Sequence, residues 1–334
     1  MHIGFVYDAR DEYLREGHSE LEVAEFDSAS TIDELTAALL RCGASIDRIG
    51  RGRNLARRLV AGERWDLVFS IAEGLRGRAR EAQVPALCEL FGQPYVFSDP
   101  LTMAATLDKA AAKRLVRDQG VPTADFALLR RPEDARAVTL GYPLFVKPVA
   151  EGTGKGCEAA SIVHDARALE LSAARLIGRF DQPALAEAFL PGREFTVGIL
   201  GNAEAAAVIG VLEIVVRAEV EDPVYSFTNK EECESRVIYR LADDATARLA
   251  GRLALDAYRA LDCRDAARLD MRCDAGGIPL FLEANPIAGL HPTHSDLPIL
   301  AGLAGWSYDR LIGGIVEAAA ARYGLGLPAA VAAA

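Results

Sequence analysis

The first hundred or so residues alternate short apolar runs with helical segments, and this alternation constrains the fold more than any other feature. The apolar runs read HIGFVY, SIDRIG, DLVFSIA and PYVF. Strands that alternate with helices usually pair in parallel, since each helix crosses back over the sheet. The first helix is predicted from about Ser30 to Cys42, with Thr31 as N-cap and Glu34 as its capping-box partner. We therefore predict an α/β fold that begins with a parallel sheet.

The remaining sequence predicts two further units. Strand patterns at 144–149 and from residue 184 onward, a helix at about 244–261 and a hairpin at 266–285 give a larger C-terminal sheet. The predicted units are 1–98, 99–183 and 184–326, and the alanine-rich residues 327–334 are predicted to form a disordered tail.

Composition and charge narrow the class of protein. The 334 residues are 51% hydrophobic and 25% charged, as in a globular chain large enough to enclose a cleft. A net charge of −11 argues against nucleic-acid and anionic-membrane surfaces. No uncharged apolar segment reaches about 18 residues and the opening MHIGFVYDAR does not resemble a signal peptide, so we expect a cytoplasmic protein. The six scattered cysteines favour core thiols over disulfides or zinc.

A glycine-rich loop, Glu151 to Gly156, follows the strand LFVKPV. Backbone N–H groups of such a loop can approach phosphate oxygens, although the spacing is neither Walker nor Rossmann and a purely structural turn is an open alternative. Lys147 lies in the middle of the apolar strand, where an unpaired ammonium would cost several kcal/mol. A bound polyphosphate or a structural ion pair would supply its partner.

The hairpin near the C-terminus carries two carboxylates that are predicted to face each other. If its turn centres on Gly276-Gly277, Asp270 on the first strand lies opposite Glu283 on the second. Facing carboxylates repel each other unless a cation or a proton lies between them. With Asn285 they suit Mg²⁺, which takes one or two carboxylates and completes its shell with phosphates. The alternative is a surface ladder in which Arg268 and Arg272 neutralise both acids.

Five motifs occur in order over most of the chain. They are DLVFSIAEG, GQPYVFSDPLTMAATLDKAAAKRL, YPLFVKPVAEGTGKG, LAEAFLPGREFTVGILG and AARLDMRCDAGGIPLFLEANPIAGLHPTHSDLP. Together they resemble the D-alanyl-D-alanine ligase branch of the ATP-grasp superfamily. The resemblance implies two α+β lobes that grip ATP, preceded by a parallel-sheet domain. It also implies an ATP- and Mg²⁺-dependent (or Mn²⁺-dependent) ligase that activates a carboxylate as an acyl phosphate, acts on small amino-acid-like substrates and is often a homodimer.

The resemblance further implies a role for individual residues. The residues implied to bind ATP are Lys109, Lys147, Glu151, Gly152, Thr153, Gly154, Lys155, Glu187, Phe189, Leu190, Glu194 and Lys230. The implied metal ligands are Asp270, Glu283 and Asn285, and the implied catalytic groups are Arg268, the backbone of Gly289 and Lys147. The implied substrate residues are Glu25, Asp27, Glu73, Arg76, Glu231 and Ser295, of which Ser295 matches the residue that receives the carboxylate of the amine substrate.

The chain departs from the family pattern where the first substrate should bind. Thr153 replaces the loop serine, and Lys230 is followed by Glu231 instead of tyrosine. The family segment HGxxGEDG reads EGLRGRARE at 73–81, which adds three arginines and loses the histidine. Because a polar site rejects the wrong substrate mainly by leaving the site's own polar groups unpaired, these changes predict a carboxylate donor other than D-alanine. An authentic D-alanyl-D-alanine ligase and a non-catalytic ATP-binding paralogue are the alternatives.

Overall fold

The computed structural model describes residues 1–217 and 233–326, which form three sheets with flanking helices. The strands are β1 (His2–Val6), β2 (Ser45–Gly50), β3 (Leu67–Ser70), β4 (Phe126–Leu129), β5 (Leu144–Pro148), β6 (Ile162–Val163), β7 (Ala184–Ala188), β8 (Glu194–Leu200), β9 (Ala207–Val216), β10 (Val237–Leu241), β11 (Ala266–Cys273) and β12 (Pro279–Asn285). The helices are α1 (Arg10–Arg15), α2 (Ala29–Arg41), α3 (Gly52–Val60), α4 (Gln83–Leu90), α5 (Pro100–Leu107), α6 (Lys109–Asp118), α7 (Ala166–Phe180), α8 (Cys233–Arg236), α9 (Ala245–Ala260), α10 (Asp296–Leu303) and α11 (Tyr308–Tyr323). In these two ranges, no helix has the length and apolar composition of a membrane span. The predictions for Lys230, Glu231 and the tail lie outside the described residues.

The N-terminal sheet is parallel, in the order β2-β1-β3, as the alternating pattern predicts. Helix α2 begins within one residue of the predicted start, but the prediction of Thr31 as its N-cap was wrong. The N-cap is Ser28, whose Oγ accepts the N–H of Thr31 at 3.2 Å. The segment PYVF is not a strand either, because Tyr95 forms only an isolated bridge with Val68.

The other two sheets are antiparallel. One has the order β4-β7-β5-β6 and the other β10-β9-β8-β11-β12. Strand β7 begins at the predicted boundary of the third unit and pairs with β4 and β5 of the four-stranded sheet. The domain boundaries themselves stay predictions.

The hairpin β11–β12 has the predicted register, with Asp270 opposite Glu283. Alternate residues Leu269 and Met271 are fully buried in the core under α9, which leaves Asp270 on the opposite face. The register shifts between Asp270 and Met271, and such a bulge bends the strand beside the carboxylates. Core packing on one face of β11 therefore fixes where its charged face points.

Candidate active site

A first cavity lies between the four-stranded and five-stranded sheets. It brings together most residues that were predicted to bind ATP or metal. Its lining includes Lys109, Lys147, Glu151, Gly154, Lys155, Glu187, Phe189, Leu190, Glu194, Asp270 and Glu283. Residues from both sheets and from the glycine-rich loop thus face one space, although they are far apart in sequence.

Glu187 lies between two buried lysines in this cavity. Its Oε1 is 2.7 Å from Nζ of Lys147 and its Oε2 is 2.8 Å from Nζ of Lys113. Burial acts to raise the pKa of Glu187, but the two ammonium groups outweigh it and lower the pKa to about 2. For Lys147 burial acts to lower the pKa, and Glu187 more than reverses this. The structure thus realises the ion-pair alternative for Lys147, which still lines the cavity.

Lys113 is a buried partner of Glu187 that sequence reasoning missed. It is fully buried, donates to Oγ1 of Thr123 at 2.8 Å, and its burial lowers its pKa despite the pairing with Glu187. The available signal was its position one helical turn after Lys109, on the face of α6 that also buries Val116. Lysines at that spacing would normally be assigned to a solvated surface.

Lys109 joins the hairpin to the glycine-rich loop. Its Nζ is 3.2 Å from Oε2 of Glu283 and donates to the carbonyl oxygen of Glu151 at 2.6 Å. Only 7% of Lys109 is exposed, so this contact is shielded from solvent. The lysine therefore provides positive charge where the two sheets and the loop meet.

The predicted metal ligands lie together on the hairpin. Asp270 accepts from Thr196 Oγ1 at 2.7 Å, from Arg268 at 3.1 Å and from Asn285 Nδ2 at 3.3 Å. The alternative of an arginine ladder holds for Asp270 alone, because Arg272 pairs with Glu194 at 2.9 Å. The carboxylates of Asp270 and Glu283 lie opposite each other on neighbouring strands. This set suits Mg²⁺, which is usually bound by one or two carboxylates together with phosphate oxygens of the substrate. In the described part of the chain, no cluster of three or more His, Cys, Asp and Glu side chains suited to a metal occurs.

A second cavity adjoins the first on the side of the N-terminal sheet. Its lining includes Glu25, Asp27, Glu73, Glu81, Lys109, Glu151, Gly152, Thr153, Arg268, Glu283, Asn285, Gly289 and Ser295. Lys109, Glu151 and Glu283 line both cavities. The two spaces therefore share one boundary, formed by a lysine and two glutamates.

Arg268 lines the second cavity and is held there by two carboxylates. Its Nη1 is 3.0 Å from Asp296 while its Nη2 contacts Asp270, so the planar guanidinium is fixed between two carboxylates. A side chain at Gly289 would place Cβ 2.8 Å from Oγ of Ser295. That hydroxyl accepts the N–H of His291 at 3.0 Å. Gly289, Ser295 and Arg268 are thus brought close together, as predicted.

The opposite end of the second cavity is acidic. Burial raises the pKa of Asp27 to about 7 against the opposing charge of Arg10, and burial raises the pKa of Glu81 to about 7 against that of Arg80. Burial, followed by the neighbouring Glu81, raises the pKa of Glu73 well above its usual range. Glu81 was not predicted as a site residue. Burial thus favours the neutral form of all three carboxyls, and a positively charged group placed among them would favour the ionised form.

Arg76 lines neither of these two cavities, and its role in binding a substrate stays a prediction. Arg76 is exposed and lines a separate groove with Arg130 and Arg179. Arg78 is bound to Asp108 at 2.7 Å and Arg80 to Glu25 at 2.7 Å. The segment is irregular, so its spacing carries no periodicity that would fix side-chain directions.

Comparison with known proteins places these features in a family. The family model "D-ala D-ala ligase C-terminus" matches residues 115–317. A D-alanine–D-alanine ligase of Bordetella petrii is 34% identical over 290 residues, which cover 85% of this chain and 85% of that protein. An uncharacterised protein of Sinorhizobium fredii is 36% identical over 265 residues, covering 77% of this chain and 75% of that protein.

Solved structures give the same result for the fold. The D-alanine–D-alanine ligase of Bacillus anthracis complexed with ATP superposes with a TM-score of 0.73 at 24% identity, covering 96% of this chain and 98% of that chain. The VanG D-Ala:D-Ser ligase of Enterococcus faecalis has a TM-score of 0.70 at 20% identity, covering 95% of this chain and 99% of that chain. The described architecture is thus the ATP-grasp fold with an N-terminal parallel sheet. The chain therefore belongs to the D-alanine–D-alanine ligase family, a branch of the ATP-grasp superfamily.

Proposed function

We propose that this chain is an ATP- and Mg²⁺-dependent ligase that forms an amide bond between amino-acid-like substrates through an acyl phosphate. The observation that carries the proposal is the shared boundary of the two cavities. Lys109 and Glu283 face both the cavity with the buried lysines and the cavity with Arg268. A phosphoryl group bound in the first cavity would thus meet a carboxylate bound in the second.

The proposed chemistry has two steps. An oxygen of the donor carboxylate attacks the γ-phosphorus of ATP, the bond to the β-phosphate oxygen breaks, and ADP leaves. The amine nitrogen then attacks the acyl carbon, phosphate departs with the electrons of the C–O bond, and the nitrogen loses a proton. Lys109 and Lys147 would bind phosphate oxygens, and Arg268 with the backbone of Gly289 would stabilise the oxyanion of the second step.

Mg²⁺ fits the carboxylates of Asp270 and Glu283 together with Asn285, whose Nδ2 is committed to Asp270 and whose Oδ1 remains for a ligand bond. When bound, the metal would neutralise charge on the phosphates of ATP. Apart from the metal, the protein would contribute mainly by positioning the reacting groups. Lys109 already holds the carboxylate of Glu283 toward the glycine-rich loop.

The carboxylate donor is proposed to carry an amino group and to differ from D-alanine. The acidic end of the second cavity, with Asp27, Glu73 and Glu81, supports a cationic group on the donor. Glu25, a candidate for the family's N-terminal acid, is neutralised by Arg80 and Lys155. An ammonium group of the donor would therefore be recognised by Asp27, Glu73 and Glu81 and not by Glu25. A different position of the recognising acids supports a donor that differs in shape from D-alanine. D-alanine is the alternative donor, favoured by the names of the curated relatives.

Glu81→Gln is expected to raise the Tm by several degrees at pH 8 and to change it little at pH 5. The pKa of Glu81 is raised from 4.5 to about 7, so its penalty on folding is absent below about pH 4.5, where both states are protonated, grows between about pH 4.5 and 7, and is complete above 7. Glutamine mimics the protonated form. Thermal unfolding at both pH values measures the difference, with the exposed Glu20→Gln as control. An equal gain in Tm at pH 5 and pH 8 would contradict this account of Glu81.

A further inference from the structure

The carboxylate of Glu25 is saturated by contacts to the glycine-rich loop and to Arg80. Its Oε1 accepts the N–H of Gly152 at 2.5 Å and lies 3.1 Å from Nζ of Lys155, and its Oε2 accepts from Arg80 at 2.7 Å. Its side chain is only 7% exposed. Burial acts to raise the pKa of Glu25, but Arg80 and Lys155 outweigh it and lower the pKa to about 2. Glu25 is therefore a charged group whose charge is already balanced by protein.

Arg80 reaches the same loop by a second route. Its Nη1 donates to the carbonyl oxygen of Ala150 at 2.9 Å, just before the loop starts. Lys155, near the end of the loop, also pairs with Glu151. We call Glu25, Arg80 and Lys155 the loop clasp. The clasp thus fixes both ends of the loop to Glu25 and Arg80, which belong to the N-terminal part of the chain.

The backbone that the clasp holds is strained and closely approached. Thr153 has φ +49°, in the left-handed region that β-branched residues rarely occupy. A Cβ at Gly152 would lie 3.0 Å from Oε1 of Glu25, tighter than an ordinary contact. Strained backbone of this kind persists only where surrounding contacts hold it in place. Here the contacts of Glu25 to Gly152 and Lys155 contribute to this hold, together with the hydrogen bond from Lys109 to the carbonyl oxygen of Glu151.

The position of the clasp links it to both cavities. Lys155 lines the first cavity, Glu25 lines the second, and Glu151 lines both. The ammonium of Lys155 is directed to the carboxylates of Glu25 and Glu151. A phosphate that recruits Lys155 must therefore compete with Glu25 for it.

We propose that Glu25 is a positioning residue that, with Arg80, holds the glycine-rich loop closed over the boundary of the two cavities and yields Lys155 to the phosphates of the nucleotide. Glu25 then acts through the loop and does not bind the amino group of the donor, unlike the N-terminal acid of the family that the motifs resemble. The role of Lys155 toward ATP rests on the proposed function. The closure of the loop by Glu25 does not.

The test uses the full chain with Glu25→Gln, which keeps the shape and an acceptor for the N–H of Gly152 but loses the charge. Trypsin cleavage after Lys155, followed by mass spectrometry, reports loop opening without any turnover. We expect cleavage to become about tenfold faster at an unchanged Tm, since local opening controls cleavage of a protected loop. Gly152→Ala, whose methyl group presses on Glu25, should have the same effect. Asp47→Asn removes a carboxylate from Arg58 elsewhere in the same unit and should leave cleavage at the wild-type rate.

Kinetics separate positioning from direct binding. With Glu25→Gln we expect kcat to fall about tenfold and the KM of the amino-acid donor to stay within about twofold, because Glu25 is expected to act on loop closure alone. A donor KM raised about a hundredfold at unchanged kcat, or unchanged cleavage in both Glu25→Gln and Gly152→Ala, overturns the proposal. Faster cleavage in a protein that releases no ADP would support the clasp and contradict the proposed ligase function, so the two can fail separately.

Discussion

Replacing Arg268 by lysine is expected to lower kcat for ligation by about 10²–10³-fold, the usual effect of losing one donor to a developing oxyanion. The guanidinium is held between Asp270 at 3.1 Å and Asp296 at 3.0 Å, beside Gly289 and Ser295. Lysine keeps the positive charge but cannot span two carboxylates with one planar group. The KM for ATP should change less than about threefold, because Arg268 lines only the second cavity.

Arg272→Lys is the matched control for this prediction. Arg272 lies four residues further along β11, pairs with Glu194 at 2.9 Å and lines the first cavity instead. We expect this change to raise the KM for ATP with a smaller effect on kcat. Steady-state ADP release at varied ATP concentration distinguishes the two. Equal loss of kcat in both variants would contradict the proposal that Arg268 stabilises the oxyanion at the acyl carbon.

Glu187→Gln is expected to lower the free energy of unfolding by about 3–5 kcal/mol, as when one partner of a buried ion pair is removed. Two lysines, Lys113 and Lys147, would then be left with a neutral amide between them in a fully buried position. The pKa of Glu187 is lowered to about 2, so its stabilising effect is complete above the unfolded pKa of 4.5 and is lost as the pH falls toward 2.

Urea unfolding at pH 7 measures this loss, and Glu194→Gln is the control. Glu194 is a half-buried acid of the same cavity with an arginine partner, so we expect a loss of no more than about 1 kcal/mol. A loss below about 1 kcal/mol in Glu187→Gln would mean that the lysines are solvated or that they titrate to the neutral form on their own.

Regular elements allowed the sequence to predict part of the site correctly. The pairing of Asp270 with Glu283 follows from the period of two in a strand and from the turn at Gly276-Gly277. Local patterns were sufficient for this pair because both residues belong to one regular hairpin. That Lys147 on β5 lines the same cavity as the hairpin carboxylates depends on how the two sheets pack.

Other parts of the site depend on packing between distant segments. The helical period places Lys113 on the face of α6 that buries Val116, but it does not show that the lysine is fully buried against Phe281, since that depends on where the five-stranded sheet lies. The directions of Arg76 and Arg80 were not predictable, because they belong to an irregular segment. Ser28 was missed as N-cap because both it and Thr31 can cap a helix, and only the backbone conformation decides between them.

The most direct test of the ligase proposal is ADP release from Mg-ATP by the full chain with amino acids and hydroxy acids, supplied singly and in pairs. The account predicts ADP in stoichiometric amounts with an amide product, only when both a carboxylate donor and an amine are present and Mg²⁺ is supplied. It also predicts that an amine-bearing donor other than D-alanine gives the highest kcat/KM. Stabilisation by Mg-ATP without ADP release from any pair would contradict the ligase function, and ADP release with D-alanine alone at the highest efficiency would contradict the proposed donor.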